Sequence, residues 1–218
     1  AWQWKANGGT TATNSDGSTD TTVQANTDAG FSIVTFTTDG GNETYGHGLG
    51  VKPDIVIVKS RSGGGSWIYM TDVIDGSVDY LLLNGTNAAA DLSYGAFTSS
   101  TFQYNDNNAV TQIAYCFSEK QGYSKFGKYV GTSNVNGAFV YLGFAPAWLL
   151  IKRTNGASNW NLYDNRRESS GGGFADRQDA SRRLFPNNSE AESANTVADE
   201  MQFTSNGFKL RGTQGSQN

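Results

Sequence analysis

Reactive side chains are scarce in this 218-residue sequence, which contains one cysteine, one histidine and three prolines. A single cysteine excludes an internal disulfide. Cys116 stands in an alternating apolar segment, where a packed structural thiol is expected rather than a nucleophile. His47 lies in a glycine-rich stretch with no second histidine, so zinc binding and triad chemistry have little support. We therefore expect no metal site, no cofactor and no enzymatic activity.

Charged residues are also few. They make up 17% of the chain, and the net charge of −4 gives a pI near 4.9. Without a basic field the chain has no general attraction for phosphate backbones, so nucleic acid is not an expected partner. No apolar run reaches the length of a membrane span, and no basic region followed by an apolar one opens the sequence. We expect no membrane insertion.

Threonine, serine, asparagine and glycine are abundant, and they separate short β-branched and aromatic runs. Polar turns of this kind join strands, and no segment shows a sustained helical period. Residues 55–58 form a continuous β-branched run that is typical of a central strand buried on both faces. The pattern predicts an all-β fold made of tandem antiparallel β-sandwich repeats of the jelly-roll or lectin-like kind.

The sequence repeats itself. Residues 52–59 return as residues 145–152, and the same offset joins Trp67 to Trp160. The repeats predict three segments: a terminal strand of a preceding module plus a linker over residues 1–29, a first sandwich over residues 30–121, and a second over residues 122–218. One larger sandwich assembled from two duplicated halves is the alternative.

The two repeats differ in their last strand. Residues 1–5 share the alternating aromatic pattern of residues 114–118, whereas the second repeat has no counterpart of residues 113–117. One hypothesis is that these residues are a piece of a longer polypeptide. The other is that residues 1–5 of one subunit complete the second repeat of another, as in donor-strand assemblies.

Several phrases shared by the repeats carry a resemblance to a known family. They are Gly30-Phe31-Ser32-Ile33-Val34, His47-Gly48-Leu49-Gly50-Val51-Lys52-Pro53, Gly122-Tyr123-Ser124-Lys125-Phe126-Gly127, Gly143-Phe144-Ala145-Pro146-Ala147-Trp148 and Ser205-Asn206-Gly207-Phe208-Lys209-Leu210-Arg211. They resemble the uncharacterised repeat domain of tail, fibre and other structural proteins of marine bacteriophages. The resemblance implies a β-sandwich related to concanavalin-like and laminin-G-like lectin folds, on the surface of a virion.

The resemblance leads us to expect a virion structural protein, in a tail, a fibre or a head decoration. It would present a glycan-contacting surface for host attachment. We expect a homo-oligomer, with a trimer as the favoured state, that also contacts other virion proteins. A secreted or cell-surface carbohydrate-binding module is the alternative, and a glycan depolymerase is a third hypothesis.

A long arginine-rich segment is the clearest difference between the repeats. It brings the candidate binding residues Arg166, Arg167, Arg177, Arg182 and Arg183, with glycines at 171–173 as a hinge. Guanidinium groups suit carboxylates and phosphates, so we predict contact with an anionic glycan or a neighbouring subunit. The alternative is a solvated loop in which Glu168, Asp176 and Asp179 pair with these arginines.

Three weaker candidates complete the sequence-based predictions. The carboxylates Asp72, Asp75, Asp79 and Glu119 could in principle hydrolyse a glycan, but their spacing does not show the paired geometry that this reaction needs. Asp106 lies in an oxygen-rich stretch that is predicted to be a hairpin turn rather than a calcium loop. Trp67 and Trp160 recur at one repeat position, which predicts packing in two equivalent cores.

Overall fold

A computed structural model describes residues 3–6, 8–167, 179–180 (backbone only), 182–193 and 201–218. Within these residues every regular element is a β-strand and every strand pair is antiparallel, so the all-β prediction is confirmed. The strands are β1 (Ala12–Asn14), β2 (Thr21–Asn26), β3 (Phe31–Thr37), β4 (Glu43–Gly46), β5 (Ile55–Ser60), β6 (Ile68–Thr71), β7 (Asp79–Leu82), β8 (Ala90–Asp91), β9 (Thr101–Tyr104), β10 (Thr111–Phe117), β11 (Phe139–Tyr141), β12 (Trp148–Ile151), β13 (Asn161–Asp164), β14 (Asp179–Ala180), β15 (Met201–Thr204) and β16 (Gly207–Leu210).

The chain divides into two compact units. Unit 1 contains residues 1–82 and 89–127, and unit 2 contains residues 83–88 and 128–218. The short excursion after β7 therefore belongs to unit 2, before the chain returns to unit 1 at β8. Among the described residues, no helix is long and apolar enough to cross a membrane.

Unit 1 is built on an eight-stranded sheet in the order β1-β2-β3-β10-β5-β6-β7-β8. β10 is the central strand, since it pairs with β3 on one side and β5 on the other. Its residues alternate between buried and half-buried, as expected where one face of a sheet meets the core. The fully buried Val56 and Val58 of β5 lie on the same face as Ala114 and Cys116.

A second, two-stranded sheet of β4 and β9 covers that face. The ring of Phe36 lies 4.0 Å from that of Tyr45 and 5.6 Å from that of Phe102, so three strands of the two sheets interlock through aromatic rings. Complete burial of a side chain such as Phe102 stabilises the fold by about 2 to 3 kcal/mol. Unit 1 is thus sandwich-like, with one large layer and one small layer.

The stretch around Asp106, predicted as a hairpin turn, is instead an arch between the two sheets, and residues 39–42 form a second arch. Residues 39–42 lead from β3 in the large sheet to β4 in the small one, and residues 105–108 lead back from β9 to β10. Gly40 has a φ of 99°, a conformation that glycine adopts without strain. The turn residues were recognisable, but a turn sequence does not reveal whether the next strand joins the same sheet or the opposite one.

Part of the segment predicted as a linker is structured. Residues 12–14 and 21–26 form β1 and β2 at one edge of the large sheet. Val23 is buried, and the buried hydroxyl of Thr21 donates to the Gly46 carbonyl at 2.9 Å. Threonine suits a pleated, half-buried surface, so this Thr-rich stretch can form strands with one large apolar side chain.

Residues 3–6, predicted as part of a strand, lie outside any strand. Trp4 is 40% exposed and meets the ring of Phe117 edge-on, with 5.9 Å between centroids. The Asn26 side-chain amide donates to the Lys5 carbonyl at 3.1 Å. These described residues therefore contact their own chain, and donor-strand exchange stays a prediction.

Unit 2 contains a four-stranded sheet, β11-β16-β15-β14, and a two-stranded sheet, β12-β13. Two pairings repeat those of unit 1: Trp148 opposes Asp164 as Ile55 opposes Thr71, and Phe203 opposes Phe208 as Phe97 opposes Phe102. The duplication is thus visible in local register, while a division into two full sandwiches stays a prediction.

The repeated strands β5 and β12 differ in their surroundings. β5 lies between β10 and β6, whereas β13 is the strand neighbour of β12 among the described residues. Val56 is completely buried, but Leu149 at the equivalent position is only half-buried. The two equivalent strands therefore differ in how fully their side chains are covered, and a second repeat without its last strand stays a prediction.

Candidate functional site

Four of the five arginines in the predicted binding segment belong to the described residues. Arg166 and Arg167 follow β13 directly, and Arg182 and Arg183 begin the described stretch before residue 193. Arg177 lies outside the described residues, as do Glu168 and Asp176, and the side chain of Asp179 is not described.

Arg167 is the centre of an ion-pair network. Its Nε donates to Asp164 Oδ2 at 2.6 Å and its Nη1 donates to Glu192 Oε2 at 2.6 Å. Arg182 Nη1 reaches the other oxygen of Glu192 at 3.0 Å. The network therefore joins the end of β13 to residues 182–192, and two of the predicted binding arginines have carboxylate partners within the chain.

Asp164 is the buried anchor of this network, with 3% of its surface exposed. Its Oδ1 accepts the backbone N–H groups of Arg166 and Arg167 at 2.9 and 3.0 Å. Burial opposes ionisation, but the bonds from the Arg167 guanidinium and the two amides prevail. They hold the pKa of Asp164 below its usual range. The carboxylate is ionised and shapes the turn after β13.

Arg183 also makes contacts within unit 2. Its Nη1 lies 3.2 Å from Asn161 Oδ1 and 3.3 Å from Ser216 Oγ, and its guanidinium stands 5.1 Å over the Phe185 ring. Arg166 is exposed, and its backbone N–H donates to Asp164. Among the four described arginines of the segment, Arg166 is the one whose exposed side chain makes no hydrogen bond or ion pair with another described residue.

Arg167 and Arg182 thus pair with carboxylates of their own unit, and Arg183 contacts Asn161, Ser216 and Phe185. The predicted pairing with Glu168, Asp176 and Asp179 involves side chains outside the described ones and stays a prediction. The spacing of Asp164 and Arg167, three residues apart after a strand, was a local signal for such a turn. Glu192 is distant in sequence, and no local pattern pointed to it. Binding of a glycan or a subunit by this segment stays a prediction.

Three carboxylates meet at the far edge of the large sheet in unit 1. Ligand oxygens of Asp75, Asp79 and Asp91 all lie within 4.8 Å of one another. Asp79 opens β7 and is the registered partner of Asp91 in β8, while Asp75 lies in the turn between β6 and β7. The Ser77 backbone N–H and hydroxyl donate to Asp75 Oδ1 at 2.9 and 2.7 Å, which orients this carboxylate.

Asp79 is the unusual member of this carboxylate cluster. It is 3% exposed, and its Oδ2 is buried without a hydrogen-bond partner. Burial, and then the neighbouring charges of Asp75 and Asp91, raise the pKa of Asp79 to about 6. Near neutral pH the site therefore holds negative charge on a buried carboxylate, and among the described residues neither Asp79 nor Asp91 pairs with a lysine or arginine.

Two of these three carboxylates, Asp75 and Asp79, are candidates that the sequence alone suggests. Asp72 and Glu119, grouped with them earlier, lie elsewhere: Asp72 pairs with Lys52, and Glu119 pairs with Lys125 at 2.9 Å. Asp91 was missed because its proximity to Asp79 depends on the pairing of β7 with β8. Asn84-Gly85 marks a turn between these strands, but it does not indicate which residues of β7 and β8 become partners.

A family profile described as a domain of unknown function (DUF7483) matches residues 1–218. The chain belongs to the DUF7483 family. No curated protein and no solved structure matches the chain. Membership in DUF7483 assigns no activity to any of the residues described above.

The side chains of this DUF7483 chain with the greatest catalytic potential serve its core. His47 is completely buried, its Nδ1 accepts the Leu49 N–H at 3.1 Å, and burial lowers its pKa. Burial raises the pKa of the Cys116 thiol to about 12, which leaves no reactive thiolate. Asp106 accepts hydrogen bonds from Asn108 and Gln112 within its arch.

The two repeated tryptophans have different environments. Trp160 is 2% exposed, as predicted for a core residue. Trp67 is only half-buried, and its ring stacks on that of Tyr115 with 6.3 Å between centroids and 21° between planes. Tyr115 lies on the face of the sheet opposite Cys116 and thus away from the β4-β9 layer. Packing in the core therefore accounts for Trp160 fully and for Trp67 only in part.

Proposed function

We propose that this protein is a non-enzymatic structural component of a bacteriophage particle, in a tail, a fibre or a head decoration. The observation that carries the proposal is the two-layer core of unit 1, in which His47 and Cys116 are buried as packing residues. A protein that uses its most reactive side chains in this way is suited to a durable exterior part. The phrases that resemble phage structural proteins supply the virion assignment.

Oligomerisation and host contact belong to the same proposal. Repeated β modules commonly assemble with closed symmetry, and we propose a homotrimer. Arg166 is the residue of the arginine segment best placed for an external contact, because Arg167 and Arg182 engage Asp164 and Glu192. A host surface glycan or another virion protein is the proposed partner.

Purified particles of a phage that encodes the chain provide the direct test. Antibodies raised against the recombinant protein should label the particle surface in electron microscopy and slow adsorption to host cells. An internal epitope, or protein found only in the infected cell, would contradict the proposal. Native mass spectrometry of the recombinant protein should give a trimer, and a monomer at all concentrations would contradict the oligomeric part.

Carbohydrate binding as the main activity is a second candidate, and one observation favours it. Trp67 and Tyr115 form a half-buried aromatic pair on the sheet face away from the small layer. Exposed aromatic rings can stack on the apolar side of a pyranose ring. A glycan array with the isolated chain would test this, with Trp67→Ala as the site variant. Tyr123→Ala, which removes a 56% exposed ring elsewhere, is the control.

Saturable glycan binding that Trp67→Ala abolishes and Tyr123→Ala preserves would establish the second candidate. Absence of binding across the array would leave the structural role. Release of reducing ends from host polysaccharide would contradict both assignments, because it would reveal a depolymerase.

A further inference from the structure

The carboxylate cluster of Asp75, Asp79 and Asp91 brings like charges together at one edge of the unit 1 sheet. Asp79 and Asp91 face each other as registered partners on β7 and β8. Like charges directly opposite on antiparallel strands destabilise the pairing. A third carboxylate then approaches from the β6–β7 turn, so that all three offer oxygens within 4.8 Å of one another. The strand pairing exists despite this repulsion.

The burial of Asp79 adds a desolvation cost to the repulsion between the carboxylates. A buried carboxylate oxygen without a hydrogen bond is costly, and a buried charge requires a partner. Neither Asp79 nor Asp91 forms an ion pair with a lysine or arginine within the described ranges. Lys52, which stands before β5, pairs with Asp72 instead. The buried oxygen of Asp79 is therefore an independent sign that a positive group is missing from the cluster.

We propose that Asp75, Asp79 and Asp91 form a binding site for a calcium ion. Three oxygens that all lie within 4.8 Å of one another can share one calcium ion at about 2.4 Å. Magnesium demands near-ideal octahedral geometry and gives up its waters reluctantly, so a cluster of protein carboxylates suits calcium better. Carboxylate oxygens suit hard cations, and transition metals that favour imidazole or thiolate have no such ligand among the three.

A bound calcium ion would replace the repulsion between the three carboxylates with the attraction of each carboxylate to the ion. One ion would join the turn before β7, the first residue of β7 and the last residue of β8. β8 is a two-residue edge strand, and both of its residues are exposed. Waters would complete the six to eight ligands that calcium takes. Ser77, which holds Asp75 Oδ1 through its hydroxyl and backbone N–H, would orient a ligand from outside the coordination shell. The site does not depend on the proposed virion role.

The test starts with the whole chain, stripped with EDTA and dialysed. Calorimetric titration with Ca²⁺ should show one saturable site, and terbium luminescence should report the same site and be quenched by Ca²⁺. Asp91→Asn removes an exposed ligand without disturbing the core and should weaken binding at least about 10-fold. Asp28→Asn, an exposed carboxylate in the β2–β3 turn, is the matched charge control and should bind as the native chain does.

Thermal unfolding gives a second readout that does not depend on heats of binding. Ca²⁺ should raise the Tm of the native chain and of Asp28→Asn, and this rise should vanish in Asp91→Asn and in Asp79→Asn. The proposal is overturned by the absence of saturable binding up to about 10 mM Ca²⁺, a level above the range of extracellular calcium modules. It is also overturned by binding that both cluster variants retain, or by Mg²⁺ binding as tightly as Ca²⁺.

Discussion

Asp79 is the registered cross-strand partner of Asp91, and of these two carboxylates only Asp91 is exposed to solvent. The pair lies at the weakest edge of the unit 1 sheet, where β8 contributes two residues. A strand this short has few hydrogen bonds of its own to offset an electrostatic penalty. The stability of that edge therefore depends on what neutralises Asp79, whether a proton, a substitution or a bound cation.

Asp79→Asn should stabilise the metal-free protein near neutral pH. An amide keeps the shape of the carboxylate, removes its charge and can donate to the remaining oxygens of Asp75 and Asp91. The raised pKa of about 6, against an ordinary 3.8, corresponds to a gain of about 3 kcal/mol at most. Urea unfolding in EDTA at about pH 8, followed by tryptophan fluorescence, measures it. Asp28→Asn should change the free energy of unfolding by less than about 0.5 kcal/mol. A destabilised Asp79→Asn would show that the charge itself is needed.

The metal-free protein should also show a pH dependence that belongs to Asp79. Between the ordinary pKa and the raised one, the folded state holds a proton that the unfolded state has lost. The contribution of this group to stability is therefore largest at about pH 4 and is lost as pH rises through about 6. Burial also raises the pKa of Asp54 and lowers that of His47, so those groups titrate in the same experiment.

The measurement that isolates Asp79 is the difference in unfolding free energy between the native chain and Asp79→Asn from about pH 4 to about pH 8 in EDTA. The advantage of the variant should grow across this range and then level off. A constant difference would contradict the raised pKa. Saturating Ca²⁺ should reverse the advantage near neutral pH, because only the native carboxylate binds the ion.

Sequence patterns were sufficient for strands whose own residues determine their burial. The β-branched run of residues 55–58 became a buried strand, and its echo at residues 148–151 adopted the same register with its partner. Sequence patterns failed for strands whose formation depends on the neighbouring strand. β1 and β2 have little apolar content, and they form because β3 and the Gly46 carbonyl provide partners. Asp91 joined the carboxylate cluster for the same reason, since a turn signal such as Asn84-Gly85 does not reveal the register of the two strands it separates.

Arg167→Ala should destabilise unit 2, whereas Arg182→Ala should not. Arg167 balances Asp164, which is 3% exposed and would be left as an unpaired buried charge. The Arg167 side chain is itself 23% exposed, so the expected loss of about 2 to 3 kcal/mol is smaller than for a fully buried pair. Arg182 is 45% exposed, and its bond to Glu192 is worth at most about 1 kcal/mol. Chemical unfolding of the two variants compares these values directly, and equal losses would contradict the assignment of Asp164 as the anchor.

Arg166→Ser separates external binding from internal structure. The side chain is exposed and lies outside the ion-pair network, so unfolding should change by less than about 0.5 kcal/mol. If the arginine segment contacts a glycan or a neighbouring subunit, trimer dissociation or host adsorption should still respond to this substitution. Unchanged assembly and unchanged adsorption would reject the segment as a contact surface, and the folded state of the variant would exclude misfolding as the cause.

Gly17→Ala should detach the β1–β2 turn from β4. A Cβ at residue 17 would overlap the Thr44 carbonyl and lie 2.7 Å from its carbon and 2.9 Å from the Tyr45 nitrogen, which are backbone atoms that cannot rotate away. Ser18 N–H donates to Thr44 Oγ1 at 2.9 Å and Thr44 N–H donates to Ser18 Oγ at 3.0 Å, and these bonds would be strained or broken. We expect a loss of about 1 to 3 kcal/mol, the usual range for overpacking.

Gly64→Ala is the control, because nothing lies within 4 Å of its added Cβ, and it should be neutral or slightly stabilising. Hydrogen exchange should locate the loss at β1, β2 and β4, and protection that remains unchanged there would show that the turn does not hold these strands together.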